Sequence, residues 1–256
     1  VVHADETSLN MDGKRHWIHV LSAQNCTLFG LSPRRGTEAM NAMGVLPEFN
    51  GTLVHDHWKP YYTYVCTHAL CNAHHLRELT YAHEEDGQRW AGNLHKLLLE
   101  LRDAVELAGG ALPEGQVKRW RIRYRKILGR GDTECPAPVP DTTSPRRGRL
   151  KRSKSRNLLE RLRDYEEDVL RFMERPDVPF TNNQGERDLR MTKVQQKISG
   201  CFRSEDGARA FCLIRSYLLT CQKNDVAPGE ALTQLLNGEW PRLLLDKFKF
   251  FEVSTE

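Results

Sequence analysis

Apolar and polar positions alternate through the first third of the chain, and that alternation predicts strands. VVHADE is extended, KRHWIHVLSA alternates around Trp17, Ile18 and Val20, and CTLFGLS forms a third run, with Asp12-Gly13 between the first two as a hairpin turn signal. GTEAMNAMGVL predicts a helix, and GTLVHDH a fourth strand that carries Asp56. Pro60 opens a short helical segment through Tyr61, Tyr62 and Tyr64, and Thr67 to Cys71 predicts a fifth strand.

The period then changes. From Ala73 to about Ala108, Leu76, Leu79, Trp90, Leu94, Leu97, Leu98, Leu101 and Val105 recur at helical spacing, which predicts one long helix ended by Gly109-Gly110. A second helix is predicted over Glu114 to Leu128, followed by the Pro- and Gly-rich loop GRGDTECPAPVPDTTSPRRGR. A third runs from Ser155 to Glu174 and stops before Pro176 and Pro179, because residues preceding proline avoid helical geometry. Thr181-Asn182-Asn183 offers side chains that cap free backbone N–H groups, so a further helix starts there with Glu186 in its first turns. Ser199-Gly200 ends that helix, and Ser204-Glu205-Asp206-Gly207 reads as the capped start of the next.

Hairpins first and a crossover afterwards make a mixed α/β core. The long separation between Asp56 and Glu186 requires an all-helical insertion. The expected division is 1–77 for the first part of the core, 78–178 for the insertion with its basic loop, 179–223 for the second part of the core and 224–256 for a C-terminal extension.

Composition narrows the function classes. The 256 residues are 39% hydrophobic and 8% aromatic, as in a soluble folded protein. No apolar run approaches the roughly 20 residues that cross a bilayer, and the first ten residues lack the pattern of a signal peptide. The 7 cysteines lack the spacing of a disulfide framework, which favours a reducing cytoplasm. A net charge of +4 is too small to indicate nucleic-acid binding, but its distribution is uneven. KRWRIRYRKILGR (118–130) and RRGRLKRSKSR (146–156) carry bases and no acid. They read either as a solvated helix face and linker or as a phosphate-binding track, with Trp120 and Tyr124 placed to stack or pack.

Asp5, Asp56 and Glu186 each lie where a short apolar run meets a polar turn. Phosphodiester chemistry needs a nucleophile, a stabilised leaving oxygen and neutralised phosphate charge, which two carboxylate-held Mg²⁺ ions supply. Asp5 and Asp56 are expected at or near strand ends, where α/β proteins put ligands. For Glu186 the competing reading is an ion pair with Arg190, worth about 0.3–0.5 kcal/mol. Glu6 would point to the face opposite Asp5, and alternation would put His55 and His57 opposite Asp56.

The strings DETSLNMDGKRHWIHV, LVHDHWKPYY, CNAHHLREL and TNNQGERDLRMTKVQQKISGCFRSEDGARAFCLIRSYLLTCQK, in that order, closely resemble the catalytic domain of insertion sequence 66 family transposases. The resemblance runs from Val1 to about Asn224. It implies a DDE transposase with an RNase H-like fold: a five-stranded sheet with flanking helices, interrupted by the helical insertion. Asp5, Asp56 and Glu186 would be the catalytic acids and the ligands of Mg²⁺, for which Mn²⁺ substitutes. The reaction implied is cleavage at the ends of an insertion element followed by strand transfer. Two other readings stay open: an RNase H-like nuclease without strand transfer, and an inactive domesticated DNA-binding protein.

The implied partners are element-end and target DNA, further copies of the chain on that DNA, and accessory proteins of the same element, in the bacterial cytoplasm at the nucleoid and with no membrane. Lys118, Arg119, Arg121, Arg123, Arg147, Arg149, Lys151 and Arg152 from the basic runs, and Arg187, Arg190, Lys193, Lys197 and Arg203 around the Glu186 helix, are the candidate DNA-backbone contacts. Cys71 and His74 form a C-x-x-H element similar to one between the second Asp and the Glu of several DDE groups. It reads as organising the insertion or as a buried Cys with a capping His; the four ligands of structural zinc are not evident in the spacing. The missing initiator Met and the early Asp5 lead to the expectation that an N-terminal region, with further DNA-binding and oligomerisation elements in the family, is absent from this sequence.

Overall fold

Two positive φ angles, 48° at Asp12 and 70° at Gly13, close the first hairpin in the left-handed region that two-residue turns require. The computed structural model describes residues 1–138 and 152–239. The hairpin joins β1 (Val2–Met11) to β2 (Lys14–Ser22), and β3 (Thr27–Ser32) extends it antiparallel, Val20 pairing with both Asp5 and Phe29. β4 (Thr52–His55) lies parallel to β1 on its other edge, Val2 opposite Leu53 and His3 opposite Val54. With β5 (Thr67–Leu70) the sheet has 5 strands in the order β3-β2-β1-β4-β5. This mixed sheet with its helices is consistent with an RNase H-like arrangement.

The chain divides into two compact units, residues 1–67 with 183–256 and residues 68–182. The expected boundaries were 77/78 and 178/179.

In the first unit, period-two alternation gives each sheet face its own core. Leu9, Met11, Ile18, Val20 and Phe29 pack against Leu189 of α7 (Asn183–Ser199) and Ala208 and Cys212 of α8 (Glu205–Lys223), with Phe202 between the helices. On the other face Ala4, Leu21 and Leu53 pack with Met40, Leu46, Tyr61 and Tyr64. That face is covered by α1 (Thr37–Asn41) and short 3₁₀ turns at Leu46–Glu48 and Lys59–Thr63. The helix expected over GTEAMNAMGVL is therefore one short piece and a 3₁₀ turn, parted at Gly44, whose φ of 72° no helix accepts. Gly200 (φ 75°) ends α7, and the Ser204 hydroxyl accepts the Gly207 N–H at 3.1 Å to start α8, as the sequence predicts. α9 (Pro228–Leu236) packs on α8.

The second unit is helical, and three expectations change there. The long helix over 73–108 is two, α2 (Asn72–Glu84) and α3 (Arg89–Leu107), because Gly87 adopts a φ of 66° in a polar stretch with no apolar residue to bury. α4 (Glu114–Glu134) runs past Leu128 through residues assigned to the loop. Its Gly131 does not end a helix but lets one come close: a Cβ there would lie 2.7 Å from Leu159 Cδ1 and 3.1 Å from Trp90 Cδ2. The third helix breaks at Tyr165 into α5 (Lys154–Asp164), α6 (Glu166–Leu170) and a 3₁₀ turn at Arg171–Met173. Trp90, Leu94, Leu98, Leu101, Leu159, Leu162, Val169 and Leu170 are fully buried. The two ends of this unit are tied together, Asn72 N–H donating to Phe180 O at 3.0 Å and Asn182 N–H reaching Cys71 Sγ at 3.1 Å. Among the described residues no helix is long and apolar enough to cross a membrane.

Candidate active site

Asp5, expected at or near a strand end, lies within β1 and beyond the last β1–β4 pair. Continuing the parallel register from His3–Val54 by two residues brings Asp5 level with Asp56. In-register residues of parallel strands share a face. That face is the one lined by Leu9 and Met11 further along β1 and covered by α7, whose first turn carries the half-buried Glu186. The three acids therefore belong to one unit and act on one another electrostatically. Burial is the largest influence on Asp5 and pushes its carboxyl up to about 7; the Glu6 N–H, donating to Oδ1 at 2.8 Å, pulls the other way, and the charges of Glu6, Asp56 and Glu186 push further up.

The backbone turns immediately after Asp56. The Trp58 N–H donates to Asp56 Oδ1 at 2.9 Å, and His57 takes a φ of 73°. Strand alternation therefore does not extend to His57 and does not determine which face it takes. His55 is buried with its ring 4.9 Å from that of Tyr61 and 5.1 Å from that of Tyr62.

Glu6 occupies the other sheet face, as alternation requires. Its carboxylate accepts the Tyr61 hydroxyl at 2.5 Å and the Arg35 Nε–H at 2.9 Å. Arg35 lies 4.0 Å from the Trp58 ring centroid and 5.1 Å from that of Trp17. His19, opposite Glu6 on β2, is buried with neither ring nitrogen hydrogen-bonded, and burial together with Arg35 pushes it down to about 4, so it stays neutral. The sequence reading missed Arg35, Tyr61 and His19 as neighbours of this site, because their meeting depends on strand pairing and on a 3₁₀ turn with no periodic signature.

The cations expected to bind DNA have different surroundings in the fold. On α4, Arg121 donates to Glu166, Glu167 and Glu174 at 3.1, 2.6 and 2.5 Å, Arg123 pairs with Glu100 at 2.6 Å, and Lys118 with Glu114 at 2.6 Å. Arg119 Nε–H reaches Gly115 O at 3.3 Å, and Arg152 pairs with Glu160. Glu166 and Glu167 of α6 and Glu174, distant in sequence, thus pair with Arg121, and Glu166 also with Arg125. Tyr124 is fully buried with its hydroxyl donating to Leu162 O at 2.7 Å, so it packs and does not stack on a ligand; Trp120 carries Arg123 4.4 Å from its ring centroid. Arg187, Arg190, Lys193 and Lys197 of α7, and Arg203 beyond it, are exposed, as are Lys118, Arg119 and Arg123. Arg147, Arg149 and Lys151 lie outside the described residues. Cys71 is buried at the N-terminal end of α2, accepting the Asn182 N–H, and His74 follows in the first turn, its N–H donating to Cys71 O at 3.2 Å.

The Transposase IS66 family model matches residues 1–210, a stretch that holds Asp5, Asp56, Glu186 and all of α7. The chain belongs to this family. A transposase-family domain thus forms most of the sequence. The chain is also similar to "Uncharacterized protein y4jO" of Sinorhizobium fredii, with 39% identity over 66 residues, 26% of this chain and 21% of that protein. The match thus spans about a fifth of that relative's length. No solved structure matches the chain.

Proposed function

We propose that this transposase-family chain is a DDE catalytic domain that cuts the DNA ends of an insertion element and joins them to a target, with Asp5, Asp56 and Glu186 holding Mg²⁺ or Mn²⁺. The supporting observation is electrostatic: a half-buried aspartate raised to about 7 by desolvation and by three acidic neighbours is a site short of positive charge. The donor set fits the ion, since carboxylate oxygens are the hard ligands that magnesium takes while keeping waters for itself. When bound, such ions lower the pKa of an attacking water or hydroxyl and stabilise the leaving oxygen.

The protein's own groups supply the positioning. The Glu6 and Trp58 N–H groups orient Asp5 and Asp56, each by a bond to Oδ1. On the far face Arg35 bridges Glu6 and the Trp58 ring, so the segments carrying the two aspartates are linked from behind. The exposed cations of α7 and Arg203 supply charge for the DNA backbone beside Glu186. Bacterial cytoplasm at the nucleoid and assembly of several copies on DNA belong to the same reading.

The test is cleavage and joining of labelled element-end DNA by the full-length protein with Mg²⁺ or Mn²⁺, against Asp5→Asn, Asp56→Asn and Glu186→Gln. Loss of both products in all three variants supports the assignment. Normal activity in all three would overturn it, and cutting of uncut element ends with no joining of pre-cleaved ends would reduce the activity to a nuclease.

A further inference from the structure

We propose that Asp188, two residues beyond Glu186 on α7, is a positioning residue that fixes the roll of this helix and so presents Glu186 to Asp5. The inference rests on the metal-site reading above and adds a residue that neither the sequence motif nor the family match assigns.

Asp188 is 6% exposed, and its Oδ2 accepts three hydrogen bonds: from Ser22 Oγ at 2.7 Å, Thr27 Oγ1 at 2.9 Å and Lys223 Nζ at 3.0 Å. Those donors come from the end of β2, the start of β3 and the last turn of α8. Lys223 also donates to Ser22 Oγ at 2.7 Å and to Ala23 O at 2.9 Å, so the ammonium is built into the turn between the strands. One turn earlier on α7, Gln184 Nε2 donates to Ala23 O at 2.7 Å. Gln184 and Asp188 are four apart and therefore on one side of the helix.

Glu186 lies between them in sequence but is rotated by about 200° from each, because each residue advances about 100° around the axis. On the other flank, about 140° around the axis from Asp188, Lys193 Nζ donates to Ser8 O of β1 at 3.3 Å. The apolar contacts of Leu189 resist lifting of the helix from the sheet but are non-directional about its axis. Directional bonds on both flanks are what resist rolling, and a roll would carry Glu186 across the sheet away from Asp5. A carboxylate with three donors, one of them an ammonium, is the strongest of these anchors.

Manganese binding followed by electron paramagnetic resonance tests this without relying on turnover. Asp188→Asn keeps the shape and loses the charge, and Asp188→Ala loses the anchor. We expect Mn²⁺ affinity to fall by about tenfold in the alanine variant and by less in the asparagine variant, the scale typical of outer partners of metal ligands. The deciding comparison is the double variant Asp188→Ala with Glu186→Gln. If Asp188 acts through Glu186, the double variant binds no more weakly than Glu186→Gln alone. An undiminished tenfold loss in the Glu186→Gln background, or unchanged affinity in Asp188→Ala, overturns the inference. Ser22→Ala and Thr27→Val remove single donors and test the same anchor should Asp188→Ala fail to fold. Absence of Mn²⁺ binding to the unaltered protein would instead refute the metal-site reading itself.

Discussion

Asp5→Asn isolates the electrostatic cost of the proposed site from its chemistry. The carboxyl moves from the ordinary 3.8 to about 7, chiefly by burial and further by Glu6, Asp56 and Glu186. At about 1.4 kcal/mol for each pKa unit, a fully charged Asp5 costs the metal-free fold about 4 kcal/mol. The sign follows from proton binding. Below about pH 4 both folded and unfolded chains hold the proton and there is no penalty. Between about pH 4 and 7 the folded chain keeps a proton that the unfolded chain has released, so stability falls as pH rises, and above about 7 the loss is complete. Roughly 1.5 kcal/mol is lost by about pH 5, which leaves about 2.5–3 kcal/mol for the step to about pH 8.

Asn preserves the shape and the Oδ1 acceptor for the Glu6 N–H but carries no charge. Urea denaturation followed by circular dichroism, in chelator, at about pH 5 and about pH 8, measures the difference. The unaltered protein should lose about 2.5–3 kcal/mol more than Asp5→Asn over that interval. Added Mg²⁺ should restore the unaltered protein at the higher pH and leave the variant nearly unchanged, since an ion that binds only the folded state stabilises it by mass action. Parallel stability curves for the two proteins, or equal stabilisation of both by Mg²⁺, would refute the reasoning.

Other consequences are open to measurement. Gly131→Ala puts a methyl against Leu159 and the buried Trp90 ring, and overpacking of about 1–3 kcal/mol should exceed the roughly 1 kcal/mol gained in helix propensity; a raised melting temperature would contradict this packing. Ser204→Ala removes the cap of α8 and should cost about 1 kcal/mol in urea denaturation, while an unchanged midpoint would mean the cap contributes nothing. Neutralising Arg190 and Lys197 should lower the slope of log affinity for duplex DNA against log salt by up to about 0.9 for each phosphate they cease to neutralise. Arg121→Ala should leave that slope unchanged and lower stability, because its guanidinium is committed to Glu166, Glu167 and Glu174; a reduced slope would show that it reaches DNA.

Local chemistry alone determined much of this protein. Period-two alternation and Asp12-Gly13 specify the hairpin, Ser199-Gly200 and Ser204 specify where α7 stops and α8 starts, and the helical period marks the insertion, since each of these signals acts within a few residues. The three acids were nameable from their positions between apolar runs and polar turns and from the family resemblance of the strings around them.

Only tertiary structure decided what those residues face. Pairing of β1 with β4 brings Asp5 level with Asp56, and the roll of α7, anchored by Asp188 on Ser22, Thr27 and Lys223, is set by groups far away in sequence. The same holds for residues whose surroundings the sequence does not show. Gly131 lies in a stretch that reads as loop until Trp90 and Leu159 show why no side chain fits there, and Arg121 reads as one more cation of a basic run until the fold pairs it with Glu166, Glu167 and Glu174. A string of residues carries its own propensities and charges, whereas the close approaches and counter-charges that assign them a role come from partners that only the folded chain brings near.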